Sequence, residues 1–126
     1  ICTNPDLVDH VGHDLVVCGG SVAHRYETMG GMVYYHGKPH MGVYELAYES
    51  LGLANKGRIV AVGDALRTDV AGAKQFGIDV VFNLPGIHWQ DIVDEKRANS
   101  LCKTRLSALI EAAEFKPTYT MNGMAL

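Results

Sequence analysis

An uninterrupted apolar run at residues 59–62 (Ile-Val-Ala-Val) constrains the fold of this 126-residue chain more than any other feature. A run without polar alternation is typical of a strand buried on both faces of a parallel sheet. Thr68 is suited to cap a helix over residues 69–76, which Gly77 would end. A second apolar strand follows at residues 78–83. Strand, helix and strand at this spacing predict an α/β fold with a parallel sheet.

Shorter signals predict the remaining elements. The predicted helices open at residues 19–21 with Ser21 as N-cap, at Pro39–His40, at Trp89, and at Asn99 or Ser100. The predicted strands are residues 1–3, 32–35 and 119–121, and residues 7–17 are predicted to be an irregular loop.

The composition excludes several classes of protein. Hydrophobic residues make up 48% of the chain and charged residues 20%, which is typical of a soluble globular protein. A net charge of −3 gives no basis for binding nucleic acid, and no apolar run approaches the roughly 20 residues that span a bilayer. Three cysteines without metal-ligand spacing favour reduced thiols in the cytoplasm. The chain begins with Ile1, inside a predicted strand, so we expect a piece of a longer gene product.

Two aspartates follow the apolar run and are the first candidates for chemistry. Asp64 comes directly after Gly63, at the carboxyl end of the predicted strand, and Asp69 follows five residues later at the start of the next helix. Ligands bind at this edge of open α/β sheets, and carboxylates are preferred ligands of Mg²⁺. The alternative is that Asp64 begins a turn and Asp69 complements the helix dipole.

Lys38 is a second candidate, because Gly37 and Pro39 hold it on a stiff backbone at the start of a predicted helix. Its point charge suits a phosphate or a carboxylate. An exposed lysine in a loop explains the same three residues when they are taken alone.

Together these segments resemble a known family. Residues 37–39 (Gly-Lys-Pro) and 63–69 (Gly-Asp-x-x-x-Thr-Asp) resemble the third and fourth motifs of the haloacid dehalogenase (HAD) superfamily. Residues 2–6 (Cys-Thr-Asn-Pro-Asp) resemble the TNPD element of its class IIA members, the NagD-like and nitrophenyl-phosphatase-like hydrolases. Residues 71–78 match the usual continuation of the fourth motif.

The resemblance implies a HAD-like, Rossmann-type parallel sheet core with an inserted cap domain. Residues 1–36 would be the C-terminal end of the cap, and residues 37–126 would be the C-terminal half of the core. The activity implied is that of a Mg²⁺-dependent phosphatase acting on a small phosphorylated metabolite, such as a sugar phosphate or a nucleotide, through an aspartyl-phosphate.

The resemblance also assigns roles to individual residues. Asp64 would be a Mg²⁺ ligand, and Asp69 would support the metal site directly or through water. Lys38 would neutralise the nucleophile and the transferring phosphoryl group, so Lys38 and Asp69 are the implied catalytic residues. Asn4 and Asp6 would lie in the cap and face the substrate, although an Asn-Pro turn explains both residues equally well.

One part of the family pattern is absent from these residues. The family's nucleophile and general acid lie in a D-x-D motif on the first core strand, and no D-x-D occurs in this sequence. We therefore expect this chain to be inactive alone and to have the missing N-terminal half, or further copies of itself, as partner. Without the nucleophile strand, the edge of residues 59–62 would be exposed.

Other interpretations of the sequence remain open. A non-catalytic phosphate-binding or interaction module on the same fold is one, and phosphoryl transfer to an acceptor other than water is another. The side chains that are candidates for metal binding, thiol chemistry or the site entrance are His10 with His13, His36 with His40, Cys18 and Trp89.

Overall fold

The computed structural model describes residues 1–12, 14–94 and 100–123. Its α-helices are α1 (Gly19–Thr28), α2 (Met41–Leu51), α3 (Ala71–Phe76), α4 (Trp89–Ile92) and α5 (Lys103–Ala112). Its strands are β1 (Val8–Val11), β2 (Asp14–Val17), β3 (Val60–Gly63), β4 (Asp79–Asn83), β5 (Val93–Asp94), β6 (Ser100–Leu101) and β7 (Tyr119–Met121). A 3-10 turn (Lys56–Arg58) precedes β3, and a π-helical turn (Leu66–Val70) precedes α3.

The centre of the molecule is a three-stranded parallel sheet with the order β3-β4-β7. The α/β prediction is confirmed, because β3, α3 and β4 follow one another as the sequence indicates. One face of the sheet packs against α3, where Val70, Ala73, Val80 and Phe82 are fully buried. Burial of each large apolar side chain contributes about 1.5–3 kcal/mol to stability. Gly77, with φ of 82°, ends α3 as predicted.

The prediction that β3 is buried on both faces is wrong. Val60 is 52% exposed and Val62 is 49% exposed. The reason is position, since β3 lies at one edge of the sheet and pairs only with β4 among the described strands.

The segment at residues 7–17 is an antiparallel hairpin of β1 and β2, not an irregular loop. Gly12 has a φ of 65° in the connection, a conformation that glycine adopts without strain. By contrast, residues 1–3 and 32–35 form no full strand. They meet in a single parallel bridge between Cys2 and Tyr35.

Three helix starts differ from the predicted ones. Cys18, not Ser21, is the N-cap of α1, and the Ser21 hydroxyl donates to the Leu7 carbonyl oxygen at 2.6 Å. Thr68 lies inside the π-helical turn, where its buried hydroxyl has no hydrogen-bond partner among the described residues. Pro39 lies two residues before the first residue of α2.

The last helix also begins later than predicted. Asn99 lies outside the described residues, and Ser100–Leu101 pair with Val93–Asp94 as a short antiparallel ribbon. The helix therefore begins at Lys103. In the ranges that the structure describes, no helix combines the length and apolarity needed to cross a bilayer.

Candidate active site

The two predicted aspartates lie together at the carboxyl end of β3. Asp69 Oδ2 accepts hydrogen bonds from the backbone N–H groups of Asp64, at 3.1 Å, and of Ala65, at 3.0 Å. The Asp69 carboxylate therefore ties the loop after β3 to the turn that follows it. A side chain at Gly63 would overlap this carboxylate, which explains the glycine before Asp64.

Lys38 joins this pair from the segment before α2. Its Nζ lies 2.5 Å from Asp69 Oδ1, in an ion pair in which the Lys38 side chain is 47% exposed and that of Asp69 is 8% exposed. Partial burial lowers the pKa of the Lys38 ammonium, but the hydrogen bond to Asp69 and the charges of Asp69, Asp6 and Asp64 outweigh it. The pKa of Lys38 is therefore raised, and the amine is charged at neutral pH.

The loop after the neighbouring strand, β4, holds the Asp64 side chain. Its Oδ2 accepts a hydrogen bond from the Ile87 N–H at 3.0 Å, in the loop that follows β4. Gly86 lies so close that a β-carbon there would overlap the Asp64 carboxylate. Asp64 also lines a cleft of about 440 Å³, together with Asp9, Gly12, Pro85, Gly86, Ile87, Trp89 and Gln90.

Tyr44 of α2 supports the turn that carries Asp69. Its hydroxyl donates to the Asp69 carbonyl oxygen at 3.4 Å, and its ring stacks on Phe76 with centroids 5.6 Å apart. Burial, followed by the charge of Asp69, raises the pKa of Tyr44 to about 12. Gly72 faces the ring so closely that a β-carbon would overlap it.

The carboxylates differ in what they can offer a cation. Both oxygens of Asp69 are engaged by the protein, one by Lys38 and the other by two backbone N–H groups. Asp64 Oδ2 is engaged by the Ile87 N–H, and no described residue is bonded to its Oδ1. Within the described residues, no three His, Cys, Asp or Glu side chains converge as a metal site. Asp64 is therefore the one carboxylate among the described residues of this group that could bind Mg²⁺. A single carboxylate is enough for Mg²⁺ when water and phosphate complete its coordination shell.

Asn4 and Asp6 are placed differently from one another. Asn4 Oδ1 accepts a hydrogen bond from the Asp6 N–H at 3.1 Å, which forms the turn that the Asn-Pro pair predicts. Asn4 lines a separate cleft with Cys2 and Tyr26. Asp6 is near enough to Lys38 for its charge to raise the lysine pKa. The structure thus groups Lys38, Asp64 and Asp69, with Asp6 nearby.

The contribution of the loop after β4 was not predicted from the sequence. Gly86, Ile87 and His88 contact Asp64 or its loop, yet no motif identified them. One signal was present, since the carboxyl ends of neighbouring parallel strands meet at the same edge of a sheet. Trp89 lines the Asp64 cleft, and its half-burial is equally explained by packing of an aromatic ring, so the role at the site entrance stays a prediction.

The other candidates do not gather into a site within the described residues. His40 stacks on Tyr35 with centroids 4.9 Å apart, and His36 is exposed. Cys18 is the N-cap of α1 and carries a free thiol. His13 and the side chain of His10 lie outside the described residues.

Curated relatives of this chain are phosphatases. A dihydroxyacetone phosphatase of Corynebacterium glutamicum (strain R) is 29% identical over 126 residues, which cover 99% of this chain and 39% of that protein. The ribonucleotide monophosphatase NagD of Escherichia coli (strain K12) is 32% identical over 94 residues, which cover 75% of this chain and 36% of that protein.

Solved structures and family profiles agree with these relatives. The p-nitrophenyl phosphatase from Archaeoglobus fulgidus superimposes with a TM-score of 0.71 at 25% identity, over 95% of this chain and 41% of that one. The resemblance to NagD-like and nitrophenyl-phosphatase-like proteins is thus confirmed. This chain spans about two fifths of the length of the relatives it matches. A profile described as HAD-hydrolase-like matches residues 35–123, and the chain belongs to that family.

Proposed function

We propose that this chain supplies the metal- and phosphate-binding part of a cytoplasmic, class IIA, Mg²⁺-dependent phosphatase. Its substrate is a small phosphorylated metabolite, either a sugar phosphate or a nucleotide. The observation that carries the proposal is the grouping of Lys38, Asp69 and Asp64 at the carboxyl edge of the sheet, where Asp64 lines a cleft. The phosphatase names of the relatives support the same reaction class.

Each residue of the group has a distinct role in this proposal. Lys38 places a positive charge next to the transferring phosphoryl group, where fixed charge is most effective in stabilising a transition state. Asp69 holds Lys38 and the Asp64 loop in place, because both of its oxygens are already engaged. Asp64 would hold Mg²⁺, which when bound supplies further charge stabilisation to the phosphoryl oxygens.

In this proposal the nucleophile comes from outside these 126 residues, which is supported by the lack of a D-x-D in their sequence. A carboxylate from the missing N-terminal half would attack phosphorus to give an aspartyl-phosphate, and water would then release phosphate. We accordingly propose that the isolated chain is inactive, that residues 37–126 are core and that residues 1–36 are the end of the cap. In the cap, Asp6 would face the phosphoryl end of the substrate next to Lys38, and Asn4 would shape the turn that presents it.

Replacement of Lys38 by methionine in the full-length protein tests the proposal. We expect Lys38→Met to lower phosphate release from an aryl phosphate about 100-fold or more, since one charged group aimed at the transition state contributes this much. Lys103→Met is the matched control, because Lys103 is exposed at the start of α5. Equal rates for the two variants would contradict the role of Lys38. A full-length protein inert toward several phosphoesters would favour the non-catalytic binding module.

A further inference from the structure

The loop after β4 contacts residues 64–66, here called the Asp64 loop, at two points. The Ile87 N–H donates to Asp64 Oδ2 at 3.0 Å, and the Leu66 N–H donates to His88 Nε2 at 3.4 Å. With the two bonds from Asp64 and Ala65 to Asp69, the first three backbone N–H groups after Gly63 all have acceptors. The Asp64 loop is therefore held by two side chains, Asp69 and His88.

The His88 ring can accept from Leu66 in only one protonation state. An acceptor nitrogen must carry its lone pair, so the proton of a neutral imidazole lies on the other nitrogen, Nδ1. That nitrogen lies 3.2 Å from Asp91 Oδ2 and donates to it. The carboxylate thus selects the tautomer that the Leu66 N–H requires.

Packing fixes the ring plane as well. The ring meets Phe82 edge-to-face, with centroids 5.9 Å apart and an interplanar angle of 64°. Phe82 is fully buried in the central sheet, so it is a rigid support. Two hydrogen bonds, from His88 to Asp91 and from the Leu66 N–H to His88, thus connect the first turn of α4 to the Asp64 loop.

We propose that His88 is a positioning residue. Asp91 holds its imidazole as the Nδ1–H tautomer, and Nε2 then accepts from the Leu66 N–H. These hydrogen bonds connect the Asp64 loop to the loop after β4 and so fix the direction of the Asp64 carboxylate. The consequence for catalysis rests on the proposed function, in which Asp64 holds the metal. The hydrogen bonds made by His88 do not depend on that function.

Two substitutions separate the acceptor from the packing. His88→Phe keeps an aromatic ring against Phe82 but removes the acceptor, whereas His88→Gln places an amide oxygen near the position of Nε2 and removes the ring. Hydrogen–deuterium exchange of the Leu66 amide in the full-length protein is the measurement. We expect exchange about tenfold faster in His88→Phe, as for a lost hydrogen bond of roughly 1.4 kcal/mol, and protection largely restored in His88→Gln.

The wild-type protein provides an independent readout that needs no variant to fold. Imidazole ¹⁵N shifts in mildly alkaline buffer should show His88 with its proton on Nδ1, and Asp91→Ala should shift the population toward the other tautomer. A proton on Nε2 in the wild type would overturn the proposal. Unchanged Leu66 exchange in His88→Phe would overturn it too, because packing alone would then explain the residue.

Kinetics of the full-length protein distinguish this proposal from the function on which its catalytic part rests. His88→Phe should raise the Mg²⁺ concentration needed for half activity and lower kcat several-fold, with little change in KM for substrate, and His88→Gln should recover most of the loss. If Asp64→Asn leaves activity intact, the proposed function fails while the exchange result stands. If Asp64→Asn abolishes activity and His88→Phe matches the wild type, only the positioning role fails.

Discussion

Asp69 shows how one side chain can organise a site without offering a free ligand. Lys38 binds one of its oxygens, and the N–H groups of Asp64 and Ala65 bind the other. The family resemblance implies that Asp69 supports the metal site directly or through water. Because both of its oxygens are already engaged by protein groups, this geometry argues against direct ligation. An almost fully buried carboxylate is stable only when paired in this way.

The close approach of Gly86 to Asp64 predicts that the cleft has no room for a larger residue at position 86. A β-carbon at residue 86 would overlap the carboxylate, so Gly86→Ala should displace Asp64 and lower phosphate release by the full-length protein up to about 100-fold, since a 1 Å misplacement can cost that much. Gly42→Ala is the control, because its β-carbon would meet only His36 Nδ1, at 4.0 Å. Equal activity of the two variants would show that the cleft tolerates the added methyl group.

Alkaline titration tests the environment of Tyr44. Its pKa is raised to about 12 by burial and by Asp69, so the folded state holds the phenolic proton more tightly than the unfolded state. The resulting stability is present below about pH 10 and is lost as pH rises toward 12. Lys38, with its raised pKa, acts in the same direction.

Tyr44→Phe should therefore flatten the fall in unfolding free energy between about pH 9 and about pH 11. After a discount for partial exposure, we expect a difference of roughly 1 kcal/mol. Urea denaturation at both pH values measures it. An identical slope for wild type and variant would mean that Tyr44 titrates like a free tyrosine.

The sequence predicts the charged residues of the candidate site, but it does not predict the residues that hold those charged side chains and their loop in place. Lys38, Asp64 and Asp69 stand out because charged side chains next to glycine and strand ends are readable locally. Ile87 acts through its backbone N–H, and His88 acts through a contact 22 residues away in sequence. Such roles depend on how two loops meet, which no single segment encodes.

Among the secondary-structure elements, the sequence predictions are wrong where burial or capping depends on how the element is placed in the fold. An apolar run predicts burial, yet β3 lies at a sheet edge and exposes Val60 and Val62. Thr68 has the right residue type for an N-cap, but a π-helical turn begins before it and places its hydroxyl inside the fold. The elements α3 and β4 agree with their local patterns because their periodicity and their burial coincide.

The exposed edge of β3 predicts self-association of the 126-residue chain. Unpaired apolar edges invite pairing with another chain, and a charge on the edge discourages it. Val62→Lys should therefore shift sedimentation toward the monomer, with a stability loss under about 1 kcal/mol because Val62 is half exposed. Val22→Lys on the exposed side of α1 should leave association unchanged. If both variants associate like the wild type, the edge is not the contact.

In the molecule as a whole, the Asp64 cleft is shared between the two proposed units. Asp9 and Gly12, from the hairpin within residues 1–36, line it together with Gly86 and Trp89 from residues 37–126. Gly37 packs so closely on Pro5 that a β-carbon would overlap it, so the two units meet without a spacer. A substrate in this cleft would touch both, which is consistent with a cap that contributes to specificity.

Phosphate release from an aryl phosphate with Mg²⁺, by the full-length protein and its Asp64→Asn variant, is the sharpest test of the proposed chemistry. We predict turnover by the full-length protein, a loss of at least about 100-fold in the variant, and none from the 126-residue chain alone. A variant as active as its parent, at every Mg²⁺ concentration, would contradict the assignment of Asp64 as the metal ligand. Turnover by the isolated chain would contradict a nucleophile supplied from outside it.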